Sequence, residues 1–235
     1  AFIDLNSSTS DPFTTQDIIY EGDISKWIKF GNSLRLRLAM RVRFSDESRS
    51  KSEALKAFNG GVFTSNSDNA LSLSSTAQNN FQNPFWQIST SPAAQAFKVS
   101  ESFVEFLKGN DTFNDGGSIS GEDPRLSILV ADNVNGQKRG IKNGYTSQFH
   151  ALNPQFITEG SYVNYHNDPV VPVTIMSYAE VQFLLAEAAL ANYSGINGMA
   201  DNYYRNGIEA SIIDVQGTLG SFANDEVALY NTAAT

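Results

Sequence analysis

The sequence predicts a mainly α-helical protein in which two helical hairpins carry long irregular loop insertions and few short strands. Apolar residues recur at spacings of three and four over residues 23–58 and again over residues 177–215, which is the periodicity of amphipathic helices. Residues 62–173 between them are rich in Ser, Asn, Gly and Pro, a composition typical of loops. Because ordinary connections are much shorter, this insertion is expected to be functional.

The first helical pair begins with a helix predicted over residues 23–44. Asp23 can start it by accepting hydrogen bonds from free backbone N–H groups. The predicted apolar stripe consists of Ile24, Trp27, Ile28, Gly31, Leu34 and Leu38, with Phe30, Leu36 and Met40 outside it. Since apolar residues lie on both sides, this helix should be covered on more than one face. The second helix is predicted over residues 48–58 and should stop at Gly60 and Gly61.

The loop-rich insertion contains one short predicted helix, over residues 100–108. Phe103, Val104 and Leu107 are expected to form its buried face, because they lie three and four residues apart or side by side on one helical surface. The rest of the insertion is predicted to be loops and short strands.

The second helical pair is predicted over residues 178–193 and 199–215. Ser177 and Glu180 have the spacing of a capping box, in which each side chain accepts a hydrogen bond from the backbone N–H of the other residue. Gly217 is expected to end the last helix, because glycine is the preferred residue just beyond a helix end.

The charge distribution excludes several classes of partner. The 235 residues include 25 acidic and 16 basic side chains, for a formal net charge of −9. A nucleic-acid-binding surface needs a cluster of cations that displaces counterions, and the sequence has none. The sequence also contains no cysteine, which excludes thiolate metal sites and cysteine nucleophiles. With 27 Ser and 22 Asn but only 17% charged residues, the surface suits neutral polar ligands such as sugars.

Enzyme motifs are weak in this sequence. Ser48 and Lys51 have the spacing of the nucleophile and lysine of penicillin-recognising enzymes, and residues 67–69 imitate the second motif of those enzymes. The third motif is missing, and so many serines produce such matches by chance. Only His150 and His166 could serve a serine nucleophile, and neither lies near a distinctive acid or serine motif. No catalytic residue and no cofactor are therefore predicted.

A calcium loop is only partly matched. Asp111, Asp115, Gly116 and Glu122 fit positions 1, 5, 6 and 12 of such a loop. Phe113 occupies position 3, where an oxygen ligand is required. These carboxylates are therefore interpreted as solvated loop residues, and no metal site is predicted.

Ligand contacts are expected from aromatic and amide side chains in the irregular segments. Sugars stack their C–H faces on aromatic rings, while amides and other polar groups bind their hydroxyls. The candidates are Asn83, Trp86, Tyr145, His150, Tyr162, Asn164, Tyr165 and His166. The alternative is that each of these clusters anchors its own loop onto the helices.

Residues 17–41, with the sequence DIIYEGDISKWIKFGNSLRLRLAMR, resemble the SusD/RagB-like family of outer-membrane nutrient-binding lipoproteins. Two further segments match that family in the expected order: DPRL at residues 123–126, and PVTIMSYAEVQFLLAEAAL at residues 172–190, which YYRNGIEASI follows. The positions singled out from these segments are Gly22, Asp23, Trp27, Asn32, Ser33, Arg35, Arg37, Arg41, Asp123, Arg125, Glu180 and Glu187. The three matches are specific in combination, whereas DPRL alone is a weak signal.

The resemblance implies tetratricopeptide-like helical hairpins and a SusC-like TonB-dependent transporter as partner. Such proteins cap the transporter while they capture glycans or peptides. The resemblance also implies a place at the cell surface, in the outer membrane, as part of a lipid-anchored parent protein. Because family members are longer, residues 1–235 are interpreted as a single partial domain from the middle of a larger protein.

The signature residues are expected to be structural. Trp27 belongs to an apolar stripe, which favours core packing over ligand contact. Arg35, Arg37, Arg41 and Arg43 point in different directions around one helix, so they should pair with carboxylates and helix ends rather than form one anion site.

The sequence therefore predicts a non-enzymatic protein that captures a nutrient, preferably a glycan, and delivers it to the transporter. One alternative is a lid subunit of the transporter that never contacts ligand, and another is capture of peptides instead of glycans. A hydrolase that depends on His150 or His166 ranks last.

Overall fold

The computed structural model describes residues 16–74, 82–84, 86, 98–109, 122–144, 159–161, 169–196 and 198–219. Within these ranges the helices are α1 (Ile24–Arg41), α2 (Glu47–Asn59), α3 (Glu101–Leu107), α4 (Leu126–Leu129), α5 (Tyr178–Leu190) and α6 (Ala200–Leu219). Strands β1 (Ala70–Ser72) and β2 (Val173–Met176) form a two-stranded antiparallel sheet. The predicted fold class, mainly helical with few short strands, is confirmed.

Helix α1 begins as predicted but buries a different face. The side chain of Asp23 accepts a hydrogen bond from the backbone N–H of Lys26. Leu36 and Met40, which fall outside the predicted stripe, are buried, whereas Leu38 is 59% exposed. The predicted stripe was therefore wrong in its second half, because α2 and α5 both pack on the side of α1 that carries Leu36.

Helix α2 returns along α1 and presents small residues to the core. Asp46 caps it by accepting a hydrogen bond from the backbone N–H of Arg49, so the helix starts one residue earlier than predicted. Ser50, Ala54 and Ala57 are its buried residues. Small side chains let two helices approach closely, which is how α1 and α2 form a hairpin.

The two strands connect the helical pairs. Ala70 pairs with Met176 and Ser72 pairs with Val173 in antiparallel register. This pairing brings the segment that follows α2 beside the segment that leads into α5, although about a hundred residues separate them in the chain. The sheet thus brings together the two chain segments between which the loop-rich insertion lies in the sequence.

The second helical pair is present with two corrections. The side chain of Ser177 accepts a hydrogen bond from the backbone N–H of Glu180, but the carboxylate of Glu180 pairs with Arg37, so the capping box is only half used. Gly217 lies inside α6 instead of ending it. A glycine within a helix costs only about 1 kcal/mol relative to alanine, and it ends a helix when its backbone turns left-handed.

The chain forms two compact units. The first comprises Ala1–Leu73 and Pro172–Ser211, and the second comprises Ser74–Val171 and Ile212–Thr235. The interpretation of the chain as a single partial domain stays a prediction.

The core of the first unit lies between α1, α2 and α5. Its large buried side chains include Leu36, Met40, Phe63, Met176, Leu185 and Tyr193. The Tyr193 hydroxyl is hydrogen-bonded to the Ser50 hydroxyl at 2.7 Å, which satisfies both buried groups.

The second unit has a smaller core under α3 and α4. Val99, Val104, Leu107, Leu126 and Val130 are its buried residues. Phe103 was predicted to join this core, but that prediction was wrong: its side chain is 39% exposed, whereas Val104 and Leu107 of the same helix are buried. Helix α3 starts at the expected position, where the side chain of Ser100 accepts a hydrogen bond from the Phe103 N–H.

One glycine of the second unit allows two backbone segments to touch. A Cβ on Gly140 would lie 2.3 Å from the carbonyl oxygen of Ser100, which no side chain could tolerate. The close approach permits the parallel bridge between Ser100 and Ile141, so Gly140 ties the residues after α4 to the start of α3.

Candidate ligand-binding site

The segment that leads into α1 is organised by one carboxylate. Asp17 accepts hydrogen bonds from the backbone N–H groups of Ile19, Tyr20 and Gly22. It also accepts a hydrogen bond from the Trp27 indole N–H at 2.6 Å. Burial raises the pKa of Asp17, but the bonds from Trp27 and the backbone outweigh burial, so the pKa lies below its ordinary value. The acid therefore stays ionised and holds the turn.

Trp27 packs against the hydrophobic core of the first unit. Its ring packs edge-on against Tyr20 at 5.2 Å and against Phe30 at 5.7 Å between centroids, and it borders the main core. This placement agrees with the core-packing role predicted from its apolar surroundings.

A second carboxylate fixes the segment after α2. Asp68 is only 3% exposed, and both of its oxygens accept hydrogen bonds from the Lys29 ammonium at 2.9 Å. The backbone N–H and hydroxyl of Thr64 also donate to it. Burial raises the pKa of Asp68, but these donors outweigh burial and lower it. The pKa of Tyr20 is raised by burial and by the nearby charges of Asp68 and Asp17.

Two polar signature residues hold the chain that leaves α2. The Asn32 side-chain amide donates to the carbonyl oxygens of Gly60 and Gly61. The buried Ser33 hydroxyl accepts a hydrogen bond from the backbone N–H of Phe63. Both side chains therefore satisfy backbone groups that would otherwise be unpaired at a helix end.

The signature arginines pair with carboxylates, as expected. Arg35 forms an ion pair with Glu53 of α2. Two further ion pairs reach α5: Arg37 of α1 with Glu180, and Arg43, just after α1, with Glu187. These two pairs connect α1 and the turn that follows it to α5. Arg41 differs: it is exposed and forms no ion pair with any residue in the described ranges.

The DPRL segment forms a compact turn. Asp123 is buried, and its carboxylate accepts hydrogen bonds from the backbone N–H and the guanidinium of Arg125. Its own backbone N–H donates to the Leu107 carbonyl at 2.7 Å. The turn thus links the end of α3 to the start of α4.

The predicted ligand contacts are described at two positions. Asn83 is 3% exposed, and its side-chain amide donates to the Val171 carbonyl at 2.7 Å. This hydrogen bond favours the alternative that Asn83 anchors its own loop and does not contact ligand. Trp86 is half-buried. The remaining candidates, Tyr145, His150, Tyr162, Asn164, Tyr165 and His166, lie outside the described residues.

Each unit has a concave surface among its described residues. The first is a groove of about 600 Å³ on the outer side of α1 and α2, in which Leu34, Leu38 and Val42 form the apolar wall. The second is a polar cavity of about 520 Å³ in the second unit, lined among others by Glu122 and Gln137. The sequence did not predict the cavity, since its residues come from four separate segments with no shared motif.

Two observations on the described residues concern metal-ligand clusters and membrane-spanning helices. Nowhere in those ranges do three or more His, Asp or Glu side chains converge as metal ligands. In the same ranges, each helix is too short or too polar to cross a bilayer. Of the four residues that partly match a calcium loop, Asp111, Asp115 and Gly116 lie outside the described residues, and Glu122 lies within them.

Helix α1 packs on α2, and α5 contacts α6 through the rings of Phe183 and Tyr204, so the described helices form a scaffold of helical pairs. The chain belongs to the SusD-like family, whose description is starch-binding associating with outer membrane, and the family match covers residues 1–235. A comparison with curated proteins found no match.

Solved structures agree with this family. A chitin-binding protein is 28% identical with a TM-score of 0.73, over 92% of this chain and 46% of that protein. A SusD homologue from Bacteroides thetaiotaomicron is 25% identical with a TM-score of 0.75, over 94% and 43%. A chitin-binding SusD homologue from Flavobacterium johnsoniae is 25% identical with a TM-score of 0.73, over 93% and 41%. The chain thus spans less than half the length of these relatives.

Proposed function

We propose that this protein captures a glycan at the cell surface and passes it unchanged to a TonB-dependent transporter of the SusC type. The observation that carries the proposal is the family match over residues 1–235, together with 28% identity to a protein named for chitin binding. The protein would act in the outer membrane as part of a lipid-anchored parent. Peptide capture is the alternative ligand class.

The composition supports a neutral ligand. Charged residues make up 17% of the sequence, and aromatic residues make up 11%. Aromatic rings stack on the C–H faces of sugars, and uncharged polar groups bind the hydroxyls. Trp86 is the predicted aromatic candidate that lies within the described residues, and its side chain is half-buried.

The described carboxylates support binding without catalysis. A general acid for glycoside cleavage needs a raised pKa. The pKa shifts found for carboxyl groups are in the opposite direction: those of Asp17, Asp23, Glu53 and Asp68 are lowered by hydrogen bonds and ion pairs. These acids hold the frame together in their ionised form.

Replacing Trp86 with Ala should weaken glycan binding at least about fivefold, because a stacked ring contributes about 1 kcal/mol beyond its buried area. Isothermal titration with chitohexaose and maltohexaose measures this. Phe44→Ala is the control, because Phe44 is an exposed aromatic residue at the end of α1. If Trp86→Ala lowers the melting temperature but leaves the affinity unchanged, Trp86 only anchors its loop.

A second candidate function, docking to the transporter as a lid, is favoured by the groove on α1 and α2. Leu38 is its most exposed apolar residue, and Val42 continues the same wall. Arg35 and Glu53 form an ion pair at the rim. An apolar surface with a polar rim is the usual form of a protein contact.

Leu38→Glu should then reduce co-purification with the transporter by at least tenfold while glycan affinity stays unchanged, since a carboxylate in the groove would be desolvated. Leu190→Glu is the matched control, because Leu190 is an exposed leucine of α5 outside the groove. Equal co-purification of both variants and the unchanged protein would remove the groove from the docking surface.

A further inference from the structure

Hydrogen bonds hold the chain segments that line the polar cavity of the second unit. Asn133 organises the turn that forms one wall: its side-chain oxygen accepts hydrogen bonds from the backbone N–H groups of Asn135 and Gln137. Its side-chain amide donates to the Glu159 carbonyl at 2.6 Å. The backbone of Gln137 is therefore held in place before any ligand arrives, which lowers the entropy cost of binding.

The segment that carries Glu122, another lining residue, is also held by hydrogen bonds. Glu122 directly precedes Asp123, whose backbone N–H bonds to the Leu107 carbonyl and whose carboxylate grips Arg125. Leu126, which is buried, contributes an apolar surface to the cavity. Glu122 thus projects from a turn that is fixed at the junction of α3 and α4.

The cations that line the cavity are already neutralised. Lys108 pairs with Glu105 at 3.0 Å. Lys138 pairs with Asp132 at 2.8 Å and also donates to the Val130 carbonyl. Arg139, the third cation of the lining, pairs with Glu159. With each of these cations matched by a carboxylate, the cavity offers no excess positive charge to an anionic ligand.

Two lining side chains have unused hydrogen-bonding capacity. Glu122 and Gln137 are exposed, and neither side chain bonds to any residue within the described ranges. Together they present carboxylate and carbonyl acceptors and an amide donor. Sugar hydroxyls can both donate and accept, so they match this pair, whereas a uronic acid would bring its carboxylate close to that of Glu122.

We propose that this cavity is a binding subsite for one neutral sugar residue of the glycan. Glu122 accepts a hydrogen bond from a sugar hydroxyl, and Gln137 donates one to a hydroxyl or N-acetyl oxygen. Lys138 and Asp132, paired with each other, border the same space and orient the sugar. This subsite rests on the proposed function, and it adds a polar contact to the aromatic stacking expected elsewhere.

Isothermal titration with chitohexaose and maltohexaose tests the subsite. The unchanged protein identifies which of the two oligosaccharides binds. The double variant Glu122→Ala, Gln137→Ala should have an affinity for that oligosaccharide that is at least tenfold lower, because hydrogen bonds to charged groups are among the stronger ones. Its melting temperature should stay unchanged, since both side chains are exposed. Glu47→Ala is the matched control, because Glu47 is an exposed acid of α2, far from the cavity in the sequence and absent from its lining.

Trigalacturonic acid supplies the second arm. Glu122→Gln should bind this acidic sugar at least threefold more tightly than the unchanged protein does, since the opposing carboxylate is gone. Unchanged affinity of the double variant for the bound neutral glycan would overturn the subsite and leave the proposed function standing. Absence of binding by the unchanged protein to both neutral oligosaccharides would contradict the subsite and the proposed glycan capture together.

Discussion

Replacing Asp68 with Asn is expected to lower the free energy of unfolding by about 3 kcal/mol at pH 7. The substitution leaves the Lys29 ammonium without its carboxylate partner, and breaking a largely buried ion pair on one side is strongly destabilising. With the amide oxygen kept toward Thr64, the amide NH2 group faces Lys29, so the ammonium also loses one of its two acceptors. Urea unfolding, followed by far-ultraviolet circular dichroism, measures the change.

The same variant should alter the dependence of stability on pH. Asp68 has a lowered pKa in the folded state, whereas an unfolded Asp has a pKa of about 3.9. Its stabilisation is therefore fully present above pH about 4 and is lost as the pH falls through the unfolded and then the folded pKa. We expect a smaller loss of stability below pH about 4 in Asp68→Asn than in the unchanged protein.

Asp201→Asn is the control for both measurements. Asp201 pairs with Arg205 on the surface of α6, and exposed pairs one helical turn apart contribute at most about 0.5 kcal/mol. If Asp68→Asn destabilised the protein no more than this control, Asp68 would not have the structural role assigned to it. Glycan affinity of the folded variants should equal that of the unchanged protein.

The second large effect is expected for Asp17→Ala, which should lower the free energy of unfolding by about 2 to 3 kcal/mol. The substitution removes the acceptor for the Trp27 indole and for the N–H groups of Ile19, Tyr20 and Gly22. Hydrogen bonds to a charged acceptor contribute about 1.5–3 kcal/mol, and some of the freed N–H groups regain water. Urea unfolding followed by tryptophan fluorescence measures this.

Asp17→Asn provides the graded comparison, because it keeps one acceptor oxygen in place. It should lose less stability than Asp17→Ala. Equal stability of Asp17→Ala and the unchanged protein would contradict the role of this carboxylate in shaping the entry to α1.

The sequence predicted the start of a helix well where neighbouring residues determine it. Asp23 caps α1 as expected because a cap depends on neighbouring backbone groups. The buried face of α1 was misjudged because it is set by packing against α2 and against α5, whose residues lie over a hundred positions away. Leu36 is buried while Leu38 is exposed, and no local periodicity distinguishes them.

The candidate site was less predictable for the same reason. Arg37 was expected to meet a carboxylate, but the identity of Glu180 depends on the packing of α1 against α5. Glu122 and Gln137 line the same cavity, although no sequence motif relates these two positions. Asn83 was a ligand candidate by residue type, yet its amide is bonded to the Val171 carbonyl, a contact that only the folded chain reveals.

The central claim is that the protein binds a glycan and does not cleave it. Isothermal titration with chitohexaose and maltohexaose, followed by chromatography of the recovered sugar, tests both parts in one sample. We predict saturable binding of at least one oligosaccharide, with the sugar recovered intact. Shortened products would contradict the non-enzymatic role, and absence of heat with both sugars would contradict the proposed glycan capture.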